Sequence, residues 1–144
     1  MISKIEIGFT GTSKGITREQ YVTVDRLFFS CVPDVLHHGD CIGGDEQIHK
    51  LALEHGLQIE IHPPLDPKKR AWCTGHTKLW SPKPYIVRNH DIVDCAVNGV
   101  IAAPRTKNEQ FRGSGTWATI RYARKKKRNL WIVWPDGTYS EELR

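Results

Sequence analysis

Strand patterns alternate with helix patterns along the chain, and this order most strongly limits what the chain can fold into. Five segments have the short, apolar or alternating pattern of a strand: residues 4–11, 34–39, 57–61, 98–103 and 129–134. Segments with helical periodicity follow the first four strands and begin near Thr17, Gly43, Tyr85 and Gly113. Such alternation produces a parallel sheet that is covered on both faces. We therefore predict an α/β fold: a Rossmann-like, three-layer α/β/α domain with a mainly parallel sheet of about five strands.

The length of the chain and its apolar runs limit its organisation and location. The 144 residues fit a single domain spanning residues 1–144. No stretch reaches the roughly 18 apolar residues of a membrane helix, and residues 1–7 are too charged for a secretory signal. The four cysteines form no C-x-x-C pair, which favours free thiols in a reducing compartment. We expect a cytoplasmic protein with no membrane partner.

Histidine and cysteine residues near one another raise the question of a zinc site. One group combines His37, His38 and Cys41, and a second consists of Cys73 and His76. Neither group supplies four ligands at a spacing familiar from zinc sites. We expect no metal ion and no cofactor.

The charge balance favours anionic partners. Lys and Arg number 21 against 16 Asp and Glu, a formal net charge of +5. Nucleotides, other phosphates and nucleic acid all fit such an excess. A dense basic run, residues 121–128, lies at the end of the fourth predicted helix, where the helix dipole favours cations. We interpret that run as a solvated helix end rather than as a nucleic-acid site.

Three loops after predicted strands are rich in glycine and hydroxyl side chains. Glycine lets a ligand approach the backbone closely, hydroxyls donate hydrogen bonds, and a helix N-terminus presents free N–H groups. Strand-to-helix loops of a parallel sheet meet at one edge, so the three loops together predict a phosphate-binding site. We expect residues 10–13 to hold one phosphate and residues 113–116 another, with Gly43, Gly44 and Asp45 bordering the sugar. The predicted ligand-binding residues are Thr10, Gly11, Thr12, Ser13, Gly43, Gly44, Asp45, Arg88, Gly113, Ser114, Gly115 and Thr116.

A long segment without regular pattern, residues 64–84, combines aromatic and basic side chains. Its basic residues are Lys68, Lys69, Arg70 and Lys78. Aromatic rings among cations can stack on a base and neutralise phosphate. Two interpretations stay open. Trp72, Trp80 and Tyr85 form a base-stacking lid, or the tryptophans pack onto the core or a subunit interface.

Four motifs occur in a particular order along the chain. They are Gly8-Phe9-Thr10-Gly11-Thr12, the run from His38 to Asp45, Arg88-Asn89, and Gly113-Ser114-Gly115-Thr116. This ordered set resembles the SLOG superfamily, which includes the DNA-processing protein A fold and the LOG proteins. The resemblance covers about the whole chain. It implies a Rossmann-like fold that binds nucleotides or nucleotide-derived ligands, often as a dimer or a larger oligomer.

The sequence departs from the LOG enzymes where catalysis is expected. Those enzymes hydrolyse a nucleoside monophosphate to base and ribose 5-phosphate, with the pattern Pro-Gly-Gly-x-Gly-Thr-x-x-Glu preceded by an Arg-Lys pair. Here Asn89 stands in place of the lysine and Thr119 in place of the glutamate. A threonine supplies neither charge stabilisation nor general acid–base catalysis. Three other carboxylates are candidates to replace the glutamate: Asp40, Asp45 and Glu109.

These observations favour a binding protein. We predict non-catalytic binding of a nucleotide-derived, phosphate-bearing ligand, such as a nucleotide, ADP-ribose or a cyclic nucleotide. Sensing or sponge-like sequestration of that ligand, in a bacterial or phage immunity context, is the expected role. One alternative is a LOG-type nucleoside 5′-monophosphate phosphoribohydrolase, which would release free base. Another is a single-stranded nucleic-acid binder, whose affinity would fall steeply with salt.

Overall fold

The protein forms a seven-stranded sheet with helices on both faces and loops between them. The computed structural model describes residues 3–144. Met1 and Ile2, which begin the segment considered above as a secretory signal, lie outside the described residues. The elements, in chain order, are β1 (Glu6–Gly11), α1 (Arg18–Cys31), β2 (Val35–His38), α2 (Gly44–Glu54), β3 (Gln58–Ile61), a 3₁₀ turn (Pro67–Lys69), β4 (Lys78–Leu79), α3 (Tyr85–Cys95), β5 (Gly99–Ala103), α4 (Gly115–Lys125), β6 (Leu130–Val133) and β7 (Tyr139–Glu142).

The order of the strands creates a switch point in the middle of the sheet. The strands lie in the order β4-β3-β2-β1-β5-β6-β7, and all neighbours are parallel except β6 and β7. The chain moves outward from β1 to β4 and then returns to the other side of β1 as β5. Loops after β1 and β5 therefore diverge at the carboxyl edge, where open α/β sheets bind their ligands.

Two apolar cores, one on each face of the sheet, hold the three layers together. One face is covered by α1 and α2, whose buried residues include Val24, Phe28 and Ile48. The opposite face is covered by α3 and α4, with Val93 and Ile120 among the buried residues. This arrangement confirms the predicted Rossmann-like α/β fold with a mainly parallel sheet.

The start of α1 is tied to the carboxyl edge of the sheet. Thr17 and Gln20 form a reciprocal capping box, each side chain bonding the other residue's backbone N–H. The Gln20 amide also donates to the carbonyl oxygens of Pro104 and Val133, at 2.8 and 3.0 Å. Gln20 is buried, and it thereby fixes the backbone where the long loop after β5 begins.

The sheet has seven strands, two more than the sequence indicated. Strand β4 contains only Lys78 and Leu79, too short for a periodic pattern. Strand β7 reads Tyr-Ser-Glu-Glu and is mostly exposed, so it lacks the apolar alternation of a half-buried strand. Strands β4 and β7 are the two edge strands of the sheet, where few side chains are buried and the sequence pattern is therefore weak.

The structure also bears on the predictions about the membrane and the thiols. Within residues 3–144, none of the helices is both long and apolar enough to cross a membrane. All four cysteines are free thiols; Cys41 is buried and the other three are half-buried.

Candidate functional site

A cavity of about 690 Å³ lies at the switch point, on the carboxyl edge of the sheet. Pockets of 300–1,000 Å³ are the usual size for small-molecule sites. The loops after β1, β2 and β5 and the first turns of α2, α3 and α4 supply its walls. Ten of the twelve predicted ligand-binding residues line it: Thr10, Gly11, Thr12, Ser13, Asp45, Arg88, Gly113, Ser114, Gly115 and Thr116.

The two remaining predicted residues, Gly43 and Gly44, hold the loop after β1 in place rather than lining the cavity. The Gly44 N–H donates to the carbonyl oxygen of Thr12 at 2.9 Å, so a neighbouring loop occupies the N-terminus of α2. Gly43 lies against the same loop, because a Cβ there would come within 2.6 Å of the Ser13 carbonyl oxygen. Gly43 and Gly44 therefore pack against the loop after β1, and their place beside a bound sugar stays a prediction.

The N-terminus of α4 is a helix end that borders the cavity and is open to a ligand. Ser114 is the N-cap residue, and its hydroxyl accepts from the Trp117 N–H at 3.1 Å. The N–H groups of Gly115 and Thr116 have no acceptor within the helix. Across the cavity lies the loop from Thr10 to Ser13. Backbone N–H groups, hydroxyls and a positive helix end together suit a phosphate.

Asp45 is a buried carboxylate on the cavity wall with one oxygen unpartnered. Its Oδ2 accepts from the Cys41 N–H at 3.2 Å, whereas Oδ1 is buried without a hydrogen-bond partner. Burial raises the pKa of Asp45 to about 6, and the charge of Arg88 opposes part of that rise. A buried acceptor without a donor is costly, so this oxygen is a natural contact for a hydroxyl of a ligand.

Arg88 lies on the cavity wall, but its guanidinium is engaged by the protein. It donates to the Gly39 carbonyl oxygen at 2.6 Å, to the His62 carbonyl oxygen at 3.3 Å and to Asn89 Oδ1 at 2.9 Å. The group is 3% exposed and lies over the Tyr85 ring, 4.7 Å from its centroid. Arg88 therefore fixes the cavity floor and offsets the Asp45 charge.

The three aromatic residues predicted as a stacking lid have separate environments. Tyr85 lines the cavity, where burial raises its pKa to about 12 and its hydroxyl lies 3.7 Å from Cys41 Sγ. Trp80 instead stacks on His62 and donates to Glu60. Trp72 packs against the Arg70 guanidinium and lies outside the cavity lining. Only Tyr85 of this set is positioned to contact a ligand in the cavity.

A cationic rim, defined here as Lys14, Lys68, Lys69, Arg105 and Arg121, surrounds the cavity. Its members come from four separate parts of the chain, namely the loop after β1, the 3₁₀ turn, the loop after β5 and helix α4, so no local motif groups them. The sequence pointed to such a rim only through its excess of basic residues and through two irregular segments. Lys68 and Lys69 lie in the first, residues 64–84, and Arg105 lies in the second, residues 104–113. Two apolar side chains, Ile86 and Phe111, lie among these cations on the cavity wall.

The carboxylates considered as replacements for a catalytic glutamate differ sharply in position. Asp40 is fully buried and bound to Arg70 Nε at 2.7 Å, so it is structural. Glu109 pairs with Arg121 at 3.1 Å and is not part of the cavity lining. Thr119 is buried and donates to the Gly115 carbonyl oxygen within α4. Of the three candidate carboxylates, Asp45 alone lines the cavity.

A polar cluster beneath α3 shares His37 with the first of the two groupings considered from spacing, but otherwise contains different residues. His37 is hydrogen-bonded through both ring nitrogens, to Glu6 at 2.8 Å and to His62 at 2.9 Å. With Cys95 these histidines form a set whose ligand atoms lie within 4.8 Å of one another, as do Glu6, His37 and Glu60. Because both His37 nitrogens are already engaged, an ion there would have to displace at least one hydrogen bond.

Buried His62 makes stability depend on pH in a predictable direction. Burial lowers its pKa to about 3, below the ordinary histidine value of 6.5, so between these pH values the unfolded chain binds a proton that the folded chain does not. Stability from this group is complete above pH 6.5 and falls as pH decreases. We expect the stability gap between wild type and His62→Gln to narrow by about 2 kcal/mol from about pH 7 to about pH 5. Urea unfolding at both pH values measures it, and a constant gap would contradict the prediction.

Fold and site together define a Rossmann-like α/β protein with a ligand-sized cavity at its switch point. No protein-family model matches the chain, and no curated protein matches it in sequence. The X-ray structure of TM1055, a structural-genomics target, is similar to it with a TM-score of 0.60. That similarity covers 87% of this chain and 71% of that chain at 12% sequence identity, and it supports the Rossmann-like fold.

Proposed function

We propose that this protein is a SLOG-type receptor that binds a nucleotide-derived, phosphate-bearing ligand without transforming it. The observation that carries the proposal is the unpartnered, buried Asp45 oxygen in a cavity that also contains an open helix N-terminus. An acceptor for a hydroxyl and a donor set for a phosphate, in one cavity, match the two polar parts of a nucleotide.

Each wall of the cavity has a distinct part in this binding. The N–H groups at the start of α4 and the hydroxyls of Thr10, Thr12 and Ser13 hold a phosphate. Asp45 accepts a hydrogen bond from a ribose hydroxyl, since a pKa of about 6 leaves it mainly ionised at neutral pH. The ring of Tyr85 offers an aromatic face for the base.

The biological role that fits such a receptor is sensing or sequestration of a signalling nucleotide. Among the described residues, the sheet and its helices hold a cavity of ligand size at their carboxyl edge. A receptor of this kind works in the cytoplasm as a subunit of a larger assembly, as a homo-oligomer or as a sponge for the ligand.

A phosphoribohydrolase is the second candidate, and one observation favours it. Asp45 lines the cavity, has one buried oxygen without a hydrogen-bond partner and has a pKa raised to about 6, which suits general acid–base catalysis near neutral pH. Thr119, at the position of the usual glutamate, is committed to a hydrogen bond inside α4. Release of free base from a nucleoside 5′-monophosphate would establish this candidate over the receptor.

A thermal-shift panel of mononucleotides, NAD, ADP-ribose and cyclic nucleotides, with chromatography of each mixture, tests the proposal. We expect at least one ligand to raise Tm and to be recovered intact. Asp45→Asn should weaken that ligand roughly 10- to 100-fold, since a hydrogen bond to a charged group contributes about 1.5–3 kcal/mol. The control Asp136→Asn, in the exposed turn before β7, should bind as wild type does. A panel without any Tm shift would refute the proposal.

A further inference from the structure

We propose that the ligand carries a chain of two or more phosphates, with the outer phosphate bound by Lys68 and Lys69. The inference rests on the proposed function and deepens it, because it selects polyphosphate or pyrophosphate-linked nucleotides over monophosphates.

The cavity lining contains six cations and a single carboxylate, Asp45. Two of the six have a local counter-charge, because Arg88 offsets Asp45 and Arg121 pairs with Glu109. The other four are Lys14, Lys68, Lys69 and Arg105, and none of them has a carboxylate within 4.0 Å in the cavity lining. One phosphate monoester carries a charge of about −1.5 to −2. A single phosphate therefore leaves much of this positive charge uncompensated.

The lysine pair lies on a different wall from the open helix end. Lys68 and Lys69 form the 3₁₀ turn that lies beside the loop after β2, whereas the N-terminus of α4 follows β5. Strand order places β1 between β2 and β5, so the loop of Thr10 to Ser13 lies between the two walls. A phosphate chain that starts at α4 can cross this loop and reach the lysine pair.

The backbone beneath the lysine pair is fixed, which makes it a built wall of the cavity. The Ile42 N–H donates to the Lys69 carbonyl oxygen at 3.1 Å, and the Ala71 N–H donates to the Asp40 carbonyl oxygen at 2.7 Å. Arg70 is held by Asp40 at 2.7 Å. The Lys69 ammonium also lies 5.3 Å from the centroid of Tyr85, so it faces the cavity.

Inorganic anions test the inference independently of the base, with calorimetric titration of orthophosphate, pyrophosphate and tripolyphosphate in magnesium-free buffer. Wild type should bind the two condensed phosphates about 10-fold or more tightly than orthophosphate, as an added charge-assisted contact predicts. The variant Lys68→Gln/Lys69→Gln should lose this preference and keep its orthophosphate affinity. The lysines are exposed, so the variant should fold as wild type does.

A matched control removes the same charge elsewhere. The substitutions Lys126→Gln/Lys127→Gln lie at the end of α4, outside the cavity lining, and should leave the preference intact. Equal binding of all three anions, beside tight binding of a mononucleotide, would overturn this inference and leave the proposed function standing. The inference would also be overturned if both double variants lost the same anion affinity and wild type bound a single-stranded oligonucleotide more tightly than any of the three anions. That result would indicate a nucleic-acid surface. Failure of every anion and nucleotide to bind would overturn both proposals.

Discussion

Replacing Gly43 by alanine should destabilise the protein by roughly 2–6 kcal/mol and weaken ligand binding with it. Gly43 has φ +105° and ψ −126°, a conformation that costs an L-residue about 1–3 kcal/mol. The new Cβ would also lie 2.6 Å from the Ser13 carbonyl oxygen and 2.7 Å from that of Thr12. Because these obstacles are backbone atoms, the loop after β1 must move, at a further cost of about 1–3 kcal/mol.

Comparison with Gly56→Ala separates the two contributions. Gly56 also has a positive φ, +72°, yet nothing lies within 4 Å of a Cβ placed there. That variant should lose only about 1–2 kcal/mol and retain full ligand affinity. Urea unfolding and titration with the ligand identified by the nucleotide panel measure both effects. Equal stability losses in the two variants would show that the loop after β1 yields without cost, contrary to the packing role assigned to Gly43.

The fold was predictable because alternating elements leave few ways to bury their apolar faces. Once the chain reads as strand and helix in turn, right-handed crossovers bring all strand-to-helix loops to one edge. That rule alone grouped Thr10 to Ser13 with Gly113 to Thr116, more than 100 residues later. The structure places both groups on one cavity. Long-range convergence of this kind follows from topology and needs no local motif.

The roles of individual residues were less predictable, because hydrogen bonding decides them. Gly44 has the appearance of an anion-binding helix start, but the Thr12 carbonyl oxygen occupies its N–H. Arg88 has the charge to bind phosphate, but three protein acceptors engage it. Trp80 has the ring to stack on a base, but His62 and Glu60 hold it elsewhere. Residue type shows what a side chain can do, and only its neighbours show what it does.

Arg88→Met should destabilise the protein by roughly 3–5 kcal/mol at neutral pH, because it leaves buried acceptors unpaired. The Gly39 and His62 carbonyl oxygens and Asn89 Oδ1 lose a charged donor. Asp45 also loses the charge that opposes the rise of its pKa. Methionine keeps most of the side-chain volume, so the expected loss is one of polar interactions rather than of packing.

The same substitution should be less costly in acid than at neutral pH. Without Arg88, the pKa of Asp45 rises further above about 6, and its folded value already exceeds the ordinary aspartate value of 3.8. A folded pKa raised in this way contributes stability that is complete below the unfolded pKa and is lost as pH rises. Urea unfolding of wild type and Arg88→Met at about pH 5 and about pH 8 should therefore show a wider gap at the higher pH.

The double variant Arg88→Met/Asp45→Asn identifies Asp45 as the source of that pH dependence. Asparagine removes the buried charge, so the double variant should cost about 1–3 kcal/mol less than the sum of the single variants. In the Asp45→Asn background, the stability lost through Arg88→Met should be the same at about pH 5 and about pH 8, although the unpaired carbonyl acceptors remain. Additive losses, or a pH dependence that survives Asp45→Asn, would mean that Arg88 has no electrostatic coupling to Asp45. In that case, any loss of ligand affinity in Asp45→Asn would reflect the lost negative charge of Asp45 and not a change in its interaction with Arg88.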